Sequence, residues 1–245
     1  MKHAAAVAAL LLLVGPIALA HAASEPAKAK EKKDAKAEKE GAEPASSSWY
    51  AERITHGDTG VAVENYWSKG RKLHAEIVIS GASLVTYVSG EFYSIVDVTN
   101  QRGIRIRRSP EALALDRAKP SQRPFGNEGD ELTAKGAELV RSDDLGGRPC
   151  RVLRLTDELG KREVWVTDDK KKLPLRVDFF ARENGVHTTT DYIDWISELS
   201  IPDAFFEPDP RIPLETIEYA DYLKRINEGP VGPAPVLFAP LLHGK

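Results

Sequence analysis

The chain carries one cysteine and six histidines in 245 residues. Any chemistry at neutral pH would have to be assembled from these few groups and the carboxylates. His3, His21, His56, His74, His187 and His243 never fall at ligand spacing. There is no H-x-x-x-H, C-x-x-C or acidic calcium loop, so no metal site is expected. No G-x-S-x-G elbow, phosphate-cradling glycine loop or dinucleotide fingerprint occurs. Cys150, His187 and Asp191 have the residue types of a nucleophile, a base and an orienting group. Only their types support that reading, and Cys150, opening an apolar run after Pro149, reads as a small buried hydrophobe. Asp143-Asp144 and Asp168-Asp169 read as turn residues. The expectation is a non-enzymatic chain with no catalytic residue and no cofactor.

The basic residues cluster twice, at Arg102, Arg105, Arg107 and Arg108 and at Lys170, Lys171 and Lys172. The second cluster occupies a hairpin turn and reads as solvated. In the first, Arg105 and Arg107 share one face while Ile104 and Ile106 share the other. That pattern reads as an ordinary exposed face, with a stripe for anionic headgroups as the alternative. Lys+Arg 34 against Asp+Glu 37 gives a net charge of -3, with no basic excess to hold nucleic acid.

The elements that must position these groups are strands. Runs rich in β-branched and aromatic residues lie at 50–54, 61–67, 73–79, 83–88, 92–98, 104–107, 138–141, 150–155, 163–167, 175–181 and 186–195. Gly, Asn and Asp breaks separate most of them, which predicts an antiparallel meander. A sheet of about ten strands cannot lie flat; it curls, splits or closes. In 73–79, Leu73, Ala75, Ile77 and Ile79 share one face and His74, Glu76 and Val78 the other, as in a half-buried strand. Elsewhere both faces carry large groups. This suits either a filled barrel or sandwich core or a pocket that admits something apolar from outside. The candidate cavity residues are Trp67, Leu73, Ile77, Val88, Phe92, Trp165 and Phe179, although alternation alone does not say which face is inside.

The remaining segments divide the chain. Residues 1–22 have the basic start, apolar run and small-residue ending of a secretory signal peptide, with no cysteine at the junction for a lipid anchor. Residues 23–48, nearly all Ala, Lys, Glu, Pro and Ser, read as a disordered spacer. The folded domain is expected over 49–210, an amphipathic helix over 211–228 and a proline-rich apolar tail over 229–245. Within the domain, 108–135 interrupts the meander with two possible short helices and reads as a lid over an open mouth. The tail's Val236, Leu237, Phe238, Leu241 and Leu242, held extended by prolines, would be a liability in water. They are expected to fold back onto the groove, to bind a partner in trans or to remain loose.

The downstream half resembles a known family. Its order runs Gly136-Ala137-Glu138-Leu139-Val140, Gly147-Arg148-Pro149-Cys150-Arg151-Val152, Val164-Trp165-Val166-Thr167-Asp168, Leu173-Pro174-Leu175-Arg176, Asp191-Tyr192 and Ile201-Pro202-Asp203-Ala204-Phe205-Phe206-Glu207-Pro208. That succession is similar to the outer-membrane lipoprotein-sorting superfamily of LolA/LolB-like lipoprotein carriers, over about residues 49–208. The resemblance implies a mainly β (α+β) fold: a curved, open antiparallel half-barrel with a few short helices over its mouth. It also implies a periplasmic protein that binds lipid or lipoprotein acyl chains in envelope biogenesis. The alternative is a periplasmic sensor or adaptor that binds a protein partner with the same half-barrel. Neither a nucleic-acid partner nor an integral membrane span is expected.

Overall fold

The computed structural model describes residues 47–58, 60–79 and 81–244. The signal-like segment 1–22 and the spacer as far as residue 46 lie outside the described residues. Strands β1 (Ser48–Gly57), β2 (Gly60–Lys69), β3 (Lys72–Ile79), β4 (Ala82–Ser89), β5 (Phe92–Asp97) and β6 (Arg102–Arg107) follow one another as an antiparallel meander. Helices α1 (Pro110–Ala118) and α2 (Glu128–Ala134) come next. A second meander then runs through β7 (Glu138–Leu145), β8 (Arg148–Thr156), β9 (Gly160–Thr167), β10 (Pro174–Ala181) and β11 (His187–Ser197). β11 returns to β1 and pairs with it antiparallel. A short strand near the C-terminus, β12 (Leu214–Ile217), completes one 12-stranded sheet in the order β12-β6-β5-β4-β3-β2-β1-β11-β10-β9-β8-β7. Its edges, β12 and β7, do not pair, so the half-barrel is open, as expected. Each run read as a strand coincides with an observed one.

The segment 211–228 departs from expectation. In place of one amphipathic helix, β12 pairs in parallel with β6, and α3 (Tyr219–Arg225) follows it. Without β12, one side of β6 would present a row of unsatisfied N–H and C=O groups. The β-branched pair Thr216-Ile217 suits a strand, and closing that edge outweighs the helical periodicity. Ile217 is thereby buried opposite Ile106. The tail is also not extended throughout. It ends in α4 (Ala239–His243), where Pro240 sits in the first turn, a position at which its missing N–H costs nothing.

Of the two helices of 108–135, α1 has a side-chain cap and α2 has none. Ser109 caps α1, its Oγ accepting from Ala112 N at 3.0 Å, with Pro110 and Glu111 in the first turn and Arg117 in the last. α2 lays Leu132 on Val164 and Val166. Across the other face of the sheet, a 3-10 turn at Asp203–Phe206 packs on β3 and β4. There Phe205 stacks on His74 with ring centroids 4.2 Å apart, and Phe206 is fully buried.

Candidate functional site

Register places the groove floor on one face of the first meander. Ser68, Leu73, Val88, Tyr93, Ile106 and Ile217 are successive cross-strand partners from β2 to β12. Ala51, Tyr66, Ala75, Thr86, Ile95 and Ile104 form the neighbouring row. Cross-strand partners point to the same side of a pleated sheet, so these rows make one continuous surface. Its small members, Ala51, Ser68 and Ala75, leave room above it.

That room is filled by the chain's own tail. Val231, Ala234, Val236, Leu237 and Phe238 pack on the floor, and Leu241 and Leu242 are buried among its residues. The Tyr93 hydroxyl accepts from the Leu237 and Phe238 amides at 3.2 and 3.4 Å. Burial of that phenol pushes its pKa up to about 12. Gly232 has φ 82 and lies so close that a Cβ there would overlap the Ile104 side chain. The end of the tail is held by its backbone. Arg108 Nε donates to the Leu241 carbonyl at 2.6 Å, Ser109 N to the Leu242 carbonyl at 3.0 Å and Ser109 Oγ to the His243 carbonyl at 2.9 Å. Each leucine so buried contributes roughly 1.5–3 kcal/mol.

Residues of the α1–α2 connection cover the opposite end. Phe125 sits between Tyr66 and Trp195, at centroid separations of 5.4 and 5.9 Å. The Arg123 guanidinium lies over Trp49 and Trp195 at 4.8 and 4.6 Å, where burial lowers its pKa. The connection therefore lies over the inner face, as a lid would. Arg108, read from the sequence as part of an exposed basic stripe, belongs to this interior: its side chain is 1% exposed. Arg105 and Arg107 lie on the outer face above Phe92, while Arg108, one residue past the end of β6, is buried on the side of Ile104 and Ile106.

A polar network closes the β1–β2 end. Arg53 Nε and Nη2 donate to the two Glu64 oxygens at 2.5 and 3.0 Å, and the hydroxyls of Thr55 and Tyr66 donate to the same carboxylate at 3.1 and 2.7 Å. The Tyr192 hydroxyl donates to Glu128 at 2.6 Å. Burial opposes the Arg53 charge, but Tyr66 and Glu64 outweigh it and hold its pKa above the ordinary value. Burial raises Tyr66 and Tyr192 well above theirs. Both Glu64 oxygens are thus paired, as a buried ion pair requires, whereas Glu128 Oε2 is buried without a partner.

The residues singled out from the sequence divide between the faces. Leu73, Ile77 and Val88 lie in the groove cluster under the tail. Phe179 shares its face with Val177 on β10 and is half-buried, outside that cluster. Trp67 lies on the outer face, 5.1 Å from Tyr50 and 5.4 Å from Phe205. Phe92 lies there too, under Arg105 and Arg107. Trp165 joins Cys150, Val152 and Leu175 in a small separate core, its Nε1 donating to Asp143 at 3.1 Å. Tyr66, Tyr93, Ile95, Ile104 and Ile106 form much of the floor and were missed. The hairpin register could have found Glu64: Gly57 pairs with Gly60, so Arg53 must meet Glu64.

Cys150, His187 and Asp191 are not brought together. β8 and β11 are separated by β9 and β10, three strand spacings or about 14 Å. Burial, with Asp143 and Asp144 nearby, pushes the Cys150 thiol up, and Asp191 is engaged by Arg176 Nε at 2.6 Å. Among the described residues no group of three His, Cys, Asp or Glu side chains could hold a metal ion. Among them, too, no helix is long and apolar enough to cross a membrane.

No protein-family model and no curated protein sequence matches the chain. Solved structures are similar in arrangement. An uncharacterized conserved protein from Thermus thermophilus matches 71% of this chain and 91% of its own, at 10% identity and a TM-score of 0.49. The MucA/MucB complex of Pseudomonas aeruginosa matches 71% of this chain and 59% of its own, at 13% identity and 0.40. A putative outer membrane lipoprotein-sorting protein domain from Vibrio parahaemolyticus matches 64% and 88%, at 11% identity and 0.31.

Proposed function

We propose that this chain is an exported, non-enzymatic binding protein of the periplasm. In this reading its half-barrel takes up an acyl chain of a lipid or lipoprotein in the groove its tail occupies. One observation carries the reading: an apolar floor running from β1 to β12 is covered by a proline-rich apolar segment of the same chain. The tail gains its stability from apolar burial and a few backbone hydrogen bonds, and an acyl chain gains about 0.8 kcal/mol per buried CH₂. The two are therefore competitors for one surface. Export rests on the signal-like residues 1–22.

Deleting 229–245 tests this with a fluorescent fatty acid. The expected outcome is tighter binding, or aggregation through the uncovered groove. Unchanged affinity together with unchanged solubility would contradict it. A second reading has its own support, since the occupant seen is a peptide held through the amides of Leu237 and Phe238 and the carbonyls of residues 241–243. An apolar segment of a partner protein would use the same donors and acceptors, which makes the chain an adaptor. Native mass spectrometry of protein purified from cell envelopes separates the two, by co-purified lipid or by a stoichiometric protein.

A further inference from the structure

Arg108 is where the groove, α1 and the tail meet, and one edge of its guanidinium is half used. Nη1 is satisfied twice, by Asp116 Oδ2 at 2.7 Å and by the Gly90 carbonyl at 2.8 Å. Nε donates to the Leu241 carbonyl, while Nη2, buried beside it, has no partner. Nε and Nη2 together form the side edge of a guanidinium, two parallel donors that a carboxylate takes with its two oxygens. Arg53 shows the filled form in the same protein, with Nε and Nη2 on the two oxygens of Glu64. On Arg108 a single carbonyl oxygen stands where an acid group would bring two.

The surroundings suit an acid. A cavity of about 310 Å³ opens beside Arg108, lined by Arg107 and Arg117 with Glu91, Leu113 and Tyr219. Arg107 is paired with Glu91 and Glu218, and Asp116 is shared between Arg108 and Arg71. With Glu111 acting on Tyr219 as well, the arginines 71, 107, 108 and 117 are balanced by four carboxylates, and what suits an acid is the unfilled edge of Arg108. The tail end sits at the same place, because Tyr219 OH hydrogen-bonds His243 Nδ1 at 2.8 Å.

We infer that the ligand displacing the tail is a single-chain fatty acid, its carboxylate on the Nε–Nη2 edge of Arg108 and its hydrocarbon along the floor at Tyr93, Val88 and Leu73. This rests on the groove-binding reading above and names its ligand class. The Leu241 carbonyl is then a stand-in for the acid, weaker because it is neutral and offers one oxygen.

The test uses the full-length protein carrying a neutral polarity-sensitive naphthylamine probe in the groove. Palmitate, hexadecanol and hexadecyl phosphate are titrated as competitors below their aggregation limits. Palmitate is expected to displace the probe at about tenfold lower concentration than hexadecanol. In Arg108→Gln that preference disappears, palmitate and hexadecanol then displacing the probe at the same concentration. Should this variant fail to fold, the wild-type protein supplies a second readout: the preference fades as pH falls through the ordinary carboxylic-acid range near about 4–5. Equal displacement by palmitate and hexadecanol overturns the inference and leaves the groove reading standing. Failure of the probe and all three competitors to bind overturns both. Tighter binding of hexadecyl phosphate than of palmitate overturns the carboxylate assignment.

Discussion

The Phe238 ring meets the Tyr66 ring edge-on, with centroids 5.3 Å apart. A side chain from the last stretch of the sequence thus seats on the second strand, in the geometry aromatic pairs favour. Phe125 approaches the same Tyr66 ring, so the α1–α2 connection and the tail share one floor residue. Displacing the tail therefore removes a neighbour from the surface on which that connection rests.

Tyr93 tests the backbone attachment of the tail without touching its packing. Tyr93→Phe keeps the ring and removes the acceptor for the Leu237 and Phe238 amides. The expected loss is about 1 kcal/mol in urea unfolding. Amide exchange at 237 and 238 should accelerate more than at the centre of β3.

Alkaline pH should weaken the fold. Tyr93 ionises near 10 when unfolded and at about 12 when folded, because burial disfavours the phenolate. Its stabilisation is full below pH 10 and is lost as pH rises through 12, by about 3 kcal/mol. Tyr66 and Tyr192 are raised in the same direction and steepen the decline. Stability measured at intervals from about pH 8 to 12 should be level and then fall, with a shallower fall in Tyr93→Phe.

The Arg53–Glu64 pair should be asymmetric under mutation. Glu64→Gln removes the charge opposite a buried guanidinium and should cost about 3–5 kcal/mol, whereas adding Arg53→Met to Glu64→Gln should recover most of that loss. A double-mutant cycle in urea measures the coupling. Simple additivity would mean the pair does not act as a unit.

Much of the sheet was legible because tight turns and β-branched runs are local signals. The inner face was not, because period-two alternation marks two faces without ranking them. Trp67, Phe92 and Trp165 stood out by size, yet the Lys69–Lys72 hairpin makes Ser68 the partner of Leu73 and sends Trp67 to the other side. β12 was hidden for a different reason: its four residues are a strand because β6 needs an edge partner, a demand made from far away in sequence. Arg108 looked exposed because Arg105 and Arg107, just before it in the same stretch, are on the outer face. Its role depends on Leu241 and Asp116, which no local pattern connects to it.

Gly232→Ala should loosen the tail selectively. The position needs φ 82 and has no space for a Cβ against Ile104. The expected outcome is faster exchange across 231–243, with β2 and β3 unaffected. Equal acceleration in both regions would mean that tail and sheet open as one unit.

The central claim is that ligand and tail compete for the same floor. Hydrogen exchange of the full-length protein at saturating fatty acid addresses it directly, because residues 231–243 are packed on that floor or hydrogen-bonded beside it when the groove holds the tail. A tail-filled groove predicts that these residues lose protection on ligand binding while Leu73, Ile77 and Val88 keep theirs. Protection of 231–243 that persists with the fatty acid bound would contradict it.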